Sequence, residues 1–189
     1  LNYNVKLLAI CLIPLVINLN YCILANTYYV SNSIGNDDYD GLSIENPFKS
    51  IEKINSLYFN PGDTILLKSG DLWEGMLWIK GSGSVQNPII LDSYGGEIKP
   101  AINGNGYQSC ILIYNDDNIN INNLELFNES SHLDSLGNVK KLIGFGGASN
   151  SWGSGKDVRF GIKIIADNQS LSNYKLDELY IHDIYPTPE

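Results

Sequence analysis

The chain has one arginine, Arg159, one methionine, Met76, and two histidines, His132 and His182. Its 12 Lys and Arg stand against 21 Asp and Glu, for a formal net charge of −9. Phosphate recognition needs clustered Lys and Arg, so this shortage excludes nucleic acid as a partner. Two histidines far apart in sequence are too sparse to define a metal centre by spacing. Charged residues are few as well, at 17% of 189 residues, but 43% are hydrophobic. That balance excludes a disordered chain and supplies one domain with a real core.

Long apolar runs are missing except at the start. Lys6 is followed by the uncharged stretch LLAICLIPLVINLNYCILA. A basic start, a short apolar run and the small residue Ala25 read as a secretory signal peptide over residues 1–25. The competing reading is a membrane anchor. Pro14, Asn18 and Asn20 interrupt the run, whereas a span needs about 20 predominantly apolar residues. The expectation is a secreted, cell-surface or periplasmic protein with no membrane span after processing, comprising one domain over residues 26–189 and acting as a monomer.

Cysteine is scarce too. Cleavage near Ala25 removes Cys11 and Cys22 and leaves Cys110 alone, so no intrachain disulfide is expected. Cys110 lies in the apolar run SCILIY and reads as a small buried hydrophobe. Losing Lys6 takes the charge from −9 to −9 − 1 = −10.

What is present is a period of two. TILLKSG, GMLWIKG, NPIILDSYG, KPAINGNG, SCILIYN, NININ and NLELFN are short strand candidates, separated by Gly, Asn, Asp or Pro. Before them, NPFKSIEKINSLYF has helical spacing at Phe48, Ile51, Ile54 and Leu57. Asn46 is its expected N-cap, Pro47 its first turn, and Pro61-Gly62 its stop. Ile65/Leu67, Ile89/Leu91 and Ile111/Ile113 recur at intervals of 24 and 22 residues. NININNLELFN at 118–128 superposes without gaps on NYKLDELYIHD at 173–183, an offset of 55. In both, the apolar parity slips by one midway, at Asn122-Asn123 and at Asp177-Glu178. Such repetition is the mark of stacked coils. Asparagine suits the corners because it tolerates left-handed backbone and bonds locally. Residues 129–158, rich in Gly and Ser, read as a long loop at one corner. The predicted fold is all-β, a right-handed parallel β-helix (a solenoid) with a short N-terminal capping helix. A Greek-key sandwich is the alternative, but it does not require a repeated corner.

The TYYVS strand, the Gly/Asp-rich turn after it, the NPF helix and PGDT leading into LLKSG carry a resemblance, as do the spaced GSGS, NPIILDSYG and KPAING. Together they resemble the N-terminal region of secreted bacterial β-helix proteins of the pectate-lyase-like superfamily. VRFGIKIIA and LYIHDI look like later coils of the same group, and the likeness spans roughly residues 27–184. It implies a helix that caps the first coil, and a fold usually longer than this chain, so a C-terminally truncated piece is expected. It also implies a polysaccharide partner and, for the enzymes of the group, catalytic residues on middle coils.

The chemistry-bearing residues are few. Asn36, Asp38 and Asp40 in NDDYDG mimic half an EF-hand loop, but Pro47 stands where the bidentate Glu belongs. No cofactor is evident; calcium is the one ion the loop admits. GSGSVQNP opens no helix and reads as a corner, not a phosphate cradle. Arg159 and Lys163 suit a lyase, which must offset a uronate carboxylate. His182 and Asp183 are the further catalytic candidates. Hydrolysis needs two carboxyl groups about 5–9.5 Å apart. Trp78, Trp152 and Tyr180 are candidates to stack on sugar rings, if alternation turns them outward. NES at Asn128 and NQS at Asn168 match the glycosylation sequon. Two readings stand: a polysaccharide lyase or glycosidase-like enzyme, and a non-catalytic polysaccharide-binding or adhesive protein. A non-functional fragment is a third, weaker one.

Overall fold

The computed structural model describes residues 24–129, 158–167 and 169–185. The expected leader and most of the 129–158 loop, including His132 and Trp152, lie outside the described residues. The elements are β1 (Thr27–Val30), α1 (Ile51–Asn55), β2 (Thr64–Lys68), β3 (Leu72–Glu74) and β4 (Leu77–Ile79). They continue as β5 (Ile89–Tyr94), β6 (Ala101–Asn103), β7 (Ser109–Tyr114) and β8 (Ile119–Asn122). The last four are β9 (Glu125–Asn128), β10 (Phe160–Ile165), β11 (Tyr174–Asp177) and β12 (Tyr180–Ile184). The described residues are thus nearly all β, with one short helix.

The strands form three sheets. The first has the order β1-β2-β5-β8-β11, the second β3-β6-β9-β12, and the third β4-β7-β10. All the pairings are parallel. From β2 onward the chain visits the first, second and third sheets in that order, then returns to the first. Each return sets a strand beside its predecessor and piles like side chains on one another. In the first sheet Tyr28 faces Ile65, Ile65 faces Leu91, Leu91 faces Ile121 and Ile121 faces Leu176. The second sheet aligns Trp73, Ile102, Leu126 and Ile181. The third aligns Ile79, Ile113 and Ile164. Ile65, Leu91, Ile121, Ile102, Leu126, Ile79 and Ile113 are fully buried. Along each strand the intervening residues face the other way, as the pleat demands.

The corners explain the asparagines. Asn118 and Asn173 have φ of 54° and 61°, and Asn123 and Glu178 have φ of 55° and 50°. These are two matched pairs of left-handed residues, each 55 positions apart, the same offset that pairs β11 with β8. Asn173 Nδ2 donates to Asn118 Oδ1 at 2.8 Å, a side-chain bond from one corner to the next. Asn123 Nδ2 reaches Asp92 Oδ1 at 2.9 Å. Left-handed backbone is costly for most L-residues and least so for Gly, Asn and Asp. Three of these four positions are asparagines, which tolerate the conformation, and the two side-chain bonds tie neighbouring strands; Glu178 adopts it without that advantage.

The helix is shorter than its spacing predicts. Ser50, not Asn46, is the N-cap, and its hydroxyl accepts from Lys53 N at 3.0 Å. Phe48, expected inside the helix, is bridged to Val30 instead. Its N–H donates to Tyr29 O at 2.9 Å and its carbonyl accepts from Ser31 N at 2.8 Å. With both backbone groups taken by β1, Phe48 is not available to a helical turn. The helix ends at Asn55, so Leu57 lies beyond it, though still packed on the core. In PGDT, the buried Asp63 accepts from Asn26 N and Asn60 N, each at 2.8 Å, and joins the start of β1 to the turn before β2.

Buried aliphatic ladders predict an uneven mutational response. Ile121→Ala should lower stability by about 2–5 kcal/mol. Ile98→Ala, at a side chain 73% exposed, should change it by about 0.5 kcal/mol or less. Urea unfolding followed by circular dichroism compares the two, and equal losses would contradict the ladder.

Candidate functional site

The outer face of the second sheet gathers most of the chemistry. Leu126 is buried in the core, and Ile181, stacked on it in the last strand, is 46% exposed; by alternation Glu125 and Phe127 on β9 and Tyr180 and His182 on β12 face the other way. Tyr180 pairs with Glu125, and Ile181 with Leu126. The register then shifts, so that Ile184, not Asp183, pairs with Asn128. Asp183 had been expected to match Asn128 through the 55-residue offset. An extra residue in β12 removes that equivalence, and Asp183 takes φ of 47°. Such a bulge bends the strand and re-aims its side chains.

The effect is to wrap one imidazole in carboxylates. His182 Nδ1 lies 2.8 Å from Asp183 Oδ2, and Nε2 lies 3.0 Å from Glu125 Oε1. Tyr185 donates its hydroxyl to Asp183 Oδ1 at 2.8 Å. The His182 ring stacks on Tyr180, at 4.3 Å between centroids, and on Phe127, at 5.4 Å. A neutral imidazole has one N–H and cannot donate to two ionised carboxylates. Both bonds together therefore need one further proton, on the ring or on a carboxyl. The bond to Asp183, and next that to Glu125, raises the His182 pKa above its ordinary 6.5. The same His182 bond, followed by that from Tyr185, lowers the Asp183 carboxyl below the usual carboxylate range.

The remaining candidates lie elsewhere. Trp78, Leu112 and Lys163 form a column on the third sheet, with Leu112 fully buried and Trp78 and Lys163 half-buried. Lys80 Nζ lies 5.0 Å from the centre of the Trp78 ring. Lys163 bonds Gln108 and sits over Phe160, and burial lowers its pKa. Arg159 is buried just before β10 and donates to the carbonyl of Asn128 at 2.9 Å. Next to it Cys110 is fully buried, and burial pushes its thiol up to about 12, so it is no nucleophile. Asn128 is also fully buried, its amide bonded to Tyr107 O and Gly106 N, so its sequon presents no acceptor to a glycosyltransferase.

NDDYDG behaves as a turn. Asn36 Oδ1 accepts from Asp38 N, and Asp40 Oδ1 from Leu42 N, each at 3.0 Å. Asp37 of the same turn accepts from Lys49 N, Ser50 N and Ser50 Oγ and braces the start of α1. Among the described residues no group of three or more His, Cys, Asp or Glu is placed to hold a metal ion. A shallow cavity bounded by Ser84, Val85, Pro88, Asn118, Asn120 and Asn173 holds no titratable side chain.

Sequence reasoning missed Glu125 and Phe127. The signal was there: in the 55-residue alignment Glu125 falls opposite Tyr180, and parity sends both outward. The chain is 30% identical, over an alignment of 190 positions, to a lacto-N-biosidase of Bifidobacterium longum subsp. longum. That match covers 84% of this chain and 12% of that protein. A GH136 lacto-N-biosidase from Eubacterium ramulus, solved as a selenomethionine derivative, aligns with a TM-score of 0.66 and 29% identity. It covers 84% of this chain and 27% of that one. The native crystal structure of the same enzyme gives 0.64 and 28%. The chain thus spans only a small part of the proteins it matches. No protein-family model matches it. Among the described residues no helix is long and apolar enough to cross a membrane.

The paired imidazole predicts a pH response. A His pKa raised by folding stabilises the fold fully below about 6.5 and is lost as pH rises through the raised value. The lowered Asp183 contributes above its ordinary 3.8 and is lost as pH falls through its folded value. An NMR titration of the His182 ring should show a midpoint above 6.5, moved downward by Asp183→Asn. A wild-type midpoint at or below 6.5 would contradict the geometry.

Proposed function

We propose that this chain is part of a secreted, lacto-N-biosidase-like glycoside hydrolase, and that the outer face of its second sheet meets the glycan. The observation that carries this reading is the convergence of Tyr180, His182 and Phe127 with Glu125 and Asp183 on that face. The 30% identity to a lacto-N-biosidase supports it. Sugars present apolar C–H faces and a rim of hydroxyls, so rings flanked by carboxylates answer both parts. In the same proposal the three sheets are the sides of a right-handed parallel β-helix of the pectate-lyase-like kind. The fixed order in which the chain visits them supports that architecture.

Hydrolysis is favoured over elimination. A lyase must offset a uronate carboxylate with cations or calcium, and this face carries carboxylates. Arg159 donates to the Asn128 carbonyl and Lys163 bonds Gln108. A non-catalytic glycan-binding role uses the same face, and product analysis separates the two. The chain would be incubated with an oligosaccharide ending in lacto-N-biose, and released disaccharide and new reducing ends measured. Disaccharide release is the result that supports a hydrolase. Binding without any product supports the binding role instead. Binding should weaken about two- to tenfold in Tyr180→Ala, the loss of one ring contact. Calorimetry reads that change, and an unaltered affinity would remove this face from the proposal.

A further inference from the structure

Resting on the reading that this face meets glycan, we propose that Glu125 is its substrate-contacting carboxylate and that His182 and Asp183 are positioning residues that hold it aimed. The two carboxylates are not equivalent. Asp183 is committed on both oxygens, Oδ2 to His182 and Oδ1 to Tyr185. Glu125 is bonded through Oε1 alone among the described residues, and its side chain is 32% exposed. Its second oxygen is left to accept a sugar hydroxyl.

The neighbourhood supports the division of roles. Around the imidazole stand Glu125 and Phe127 from β9, and Tyr180, Asp183 and Tyr185 from β12. Glu129, just past β9, adds negative charge near Tyr185. On the β10 side, Arg159 is turned to the Asn128 carbonyl and Lys163 to Gln108. Among these described groups the proton on His182 is thus the positive charge bonded directly to Glu125. The bond from His182 to Oε1 fixes the direction of that carboxylate. The bulge makes this possible, because it brings His182 and Asp183 into contact although they are consecutive in a strand. Tyr180, 57% exposed, is the strand partner of Glu125 and supplies an accessible ring on the same face.

The test uses the whole chain and the disaccharide lacto-N-biose, with NMR of the His182 and Tyr180 rings and affinity measured from about pH 5 to 9, the range in which histidine titrates. In the wild type, the disaccharide should shift both rings, and affinity should fall as pH rises through the His182 midpoint. Glu125→Gln, nearly isosteric, should weaken binding about tenfold or more. Asp183→Asn should move the fall in affinity to lower pH, which a merely structural aspartate would not do. Backbone amide shifts far from the site certify that each variant is folded. The proposal is overturned if Glu125→Gln binds as the wild type does, or if wild-type affinity ignores the His182 titration. If the wild type shows no response to disaccharide at any pH, the glycan reading itself fails, and the coupled histidine is only a clamp between β9 and β12.

Discussion

Aliphatic side chains stacked in register, strand upon parallel strand, are the interaction on which the rest of this structure depends. The column Ile65, Leu91, Ile121 buries three branched side chains completely. At about 25 cal/mol per Å² of apolar surface removed from water, such columns are the dominant favourable contribution. They also fix orientation. A slip of one residue would send every inward aliphatic out and every outward polar group in, so the sites on the surface are as strictly placed as the core.

The second sheet shows what that strictness permits. Its column of Trp73, Ile102 and Leu126, buried, and Ile181, half-exposed at the end, leaves Glu125 and Tyr180 side by side on the other face. One inserted residue in β12 then departs from the regular ladder and brings Asp183 onto His182. The local irregularity produces the chemistry, while the regular columns beneath it keep the strand in place. Corner asparagines complete the frame: their left-handed backbone lets a strand turn sharply into the next sheet, and the bond from Asn173 to Asn118 links successive turns.

Much of this was legible in the residues. The slip of parity at Asn122-Asn123 marks a real corner, because an extended chain can change its inward parity only where the backbone departs from extended geometry. The offset of 55 emerges as the register of β11 on β8. The helix start was misplaced because hydrophobic spacing cannot show that Phe48 already shares its backbone groups with β1. The bulge at His182-Asp183 was invisible, since an extra residue in a polar stretch leaves no hydropathic trace. Glu125 was passed over because a lone glutamate between leucines reads as ordinary solvent-facing alternation. Its role depends on a histidine 57 positions later.

Register is therefore the quantity to measure. Asn120 and Lys175 are paired neighbours on β8 and β11, so cysteines at these two positions should cross-link rapidly on oxidation. Cysteines at Asn122 and Lys175, two residues out of step, should not. Mass-spectrometric mapping of the disulfides decides between them. A dominant 120–175 bond is the result required here; a dominant 122–175 bond, or none at all in either variant, would contradict the stacked columns and the outward face built on them.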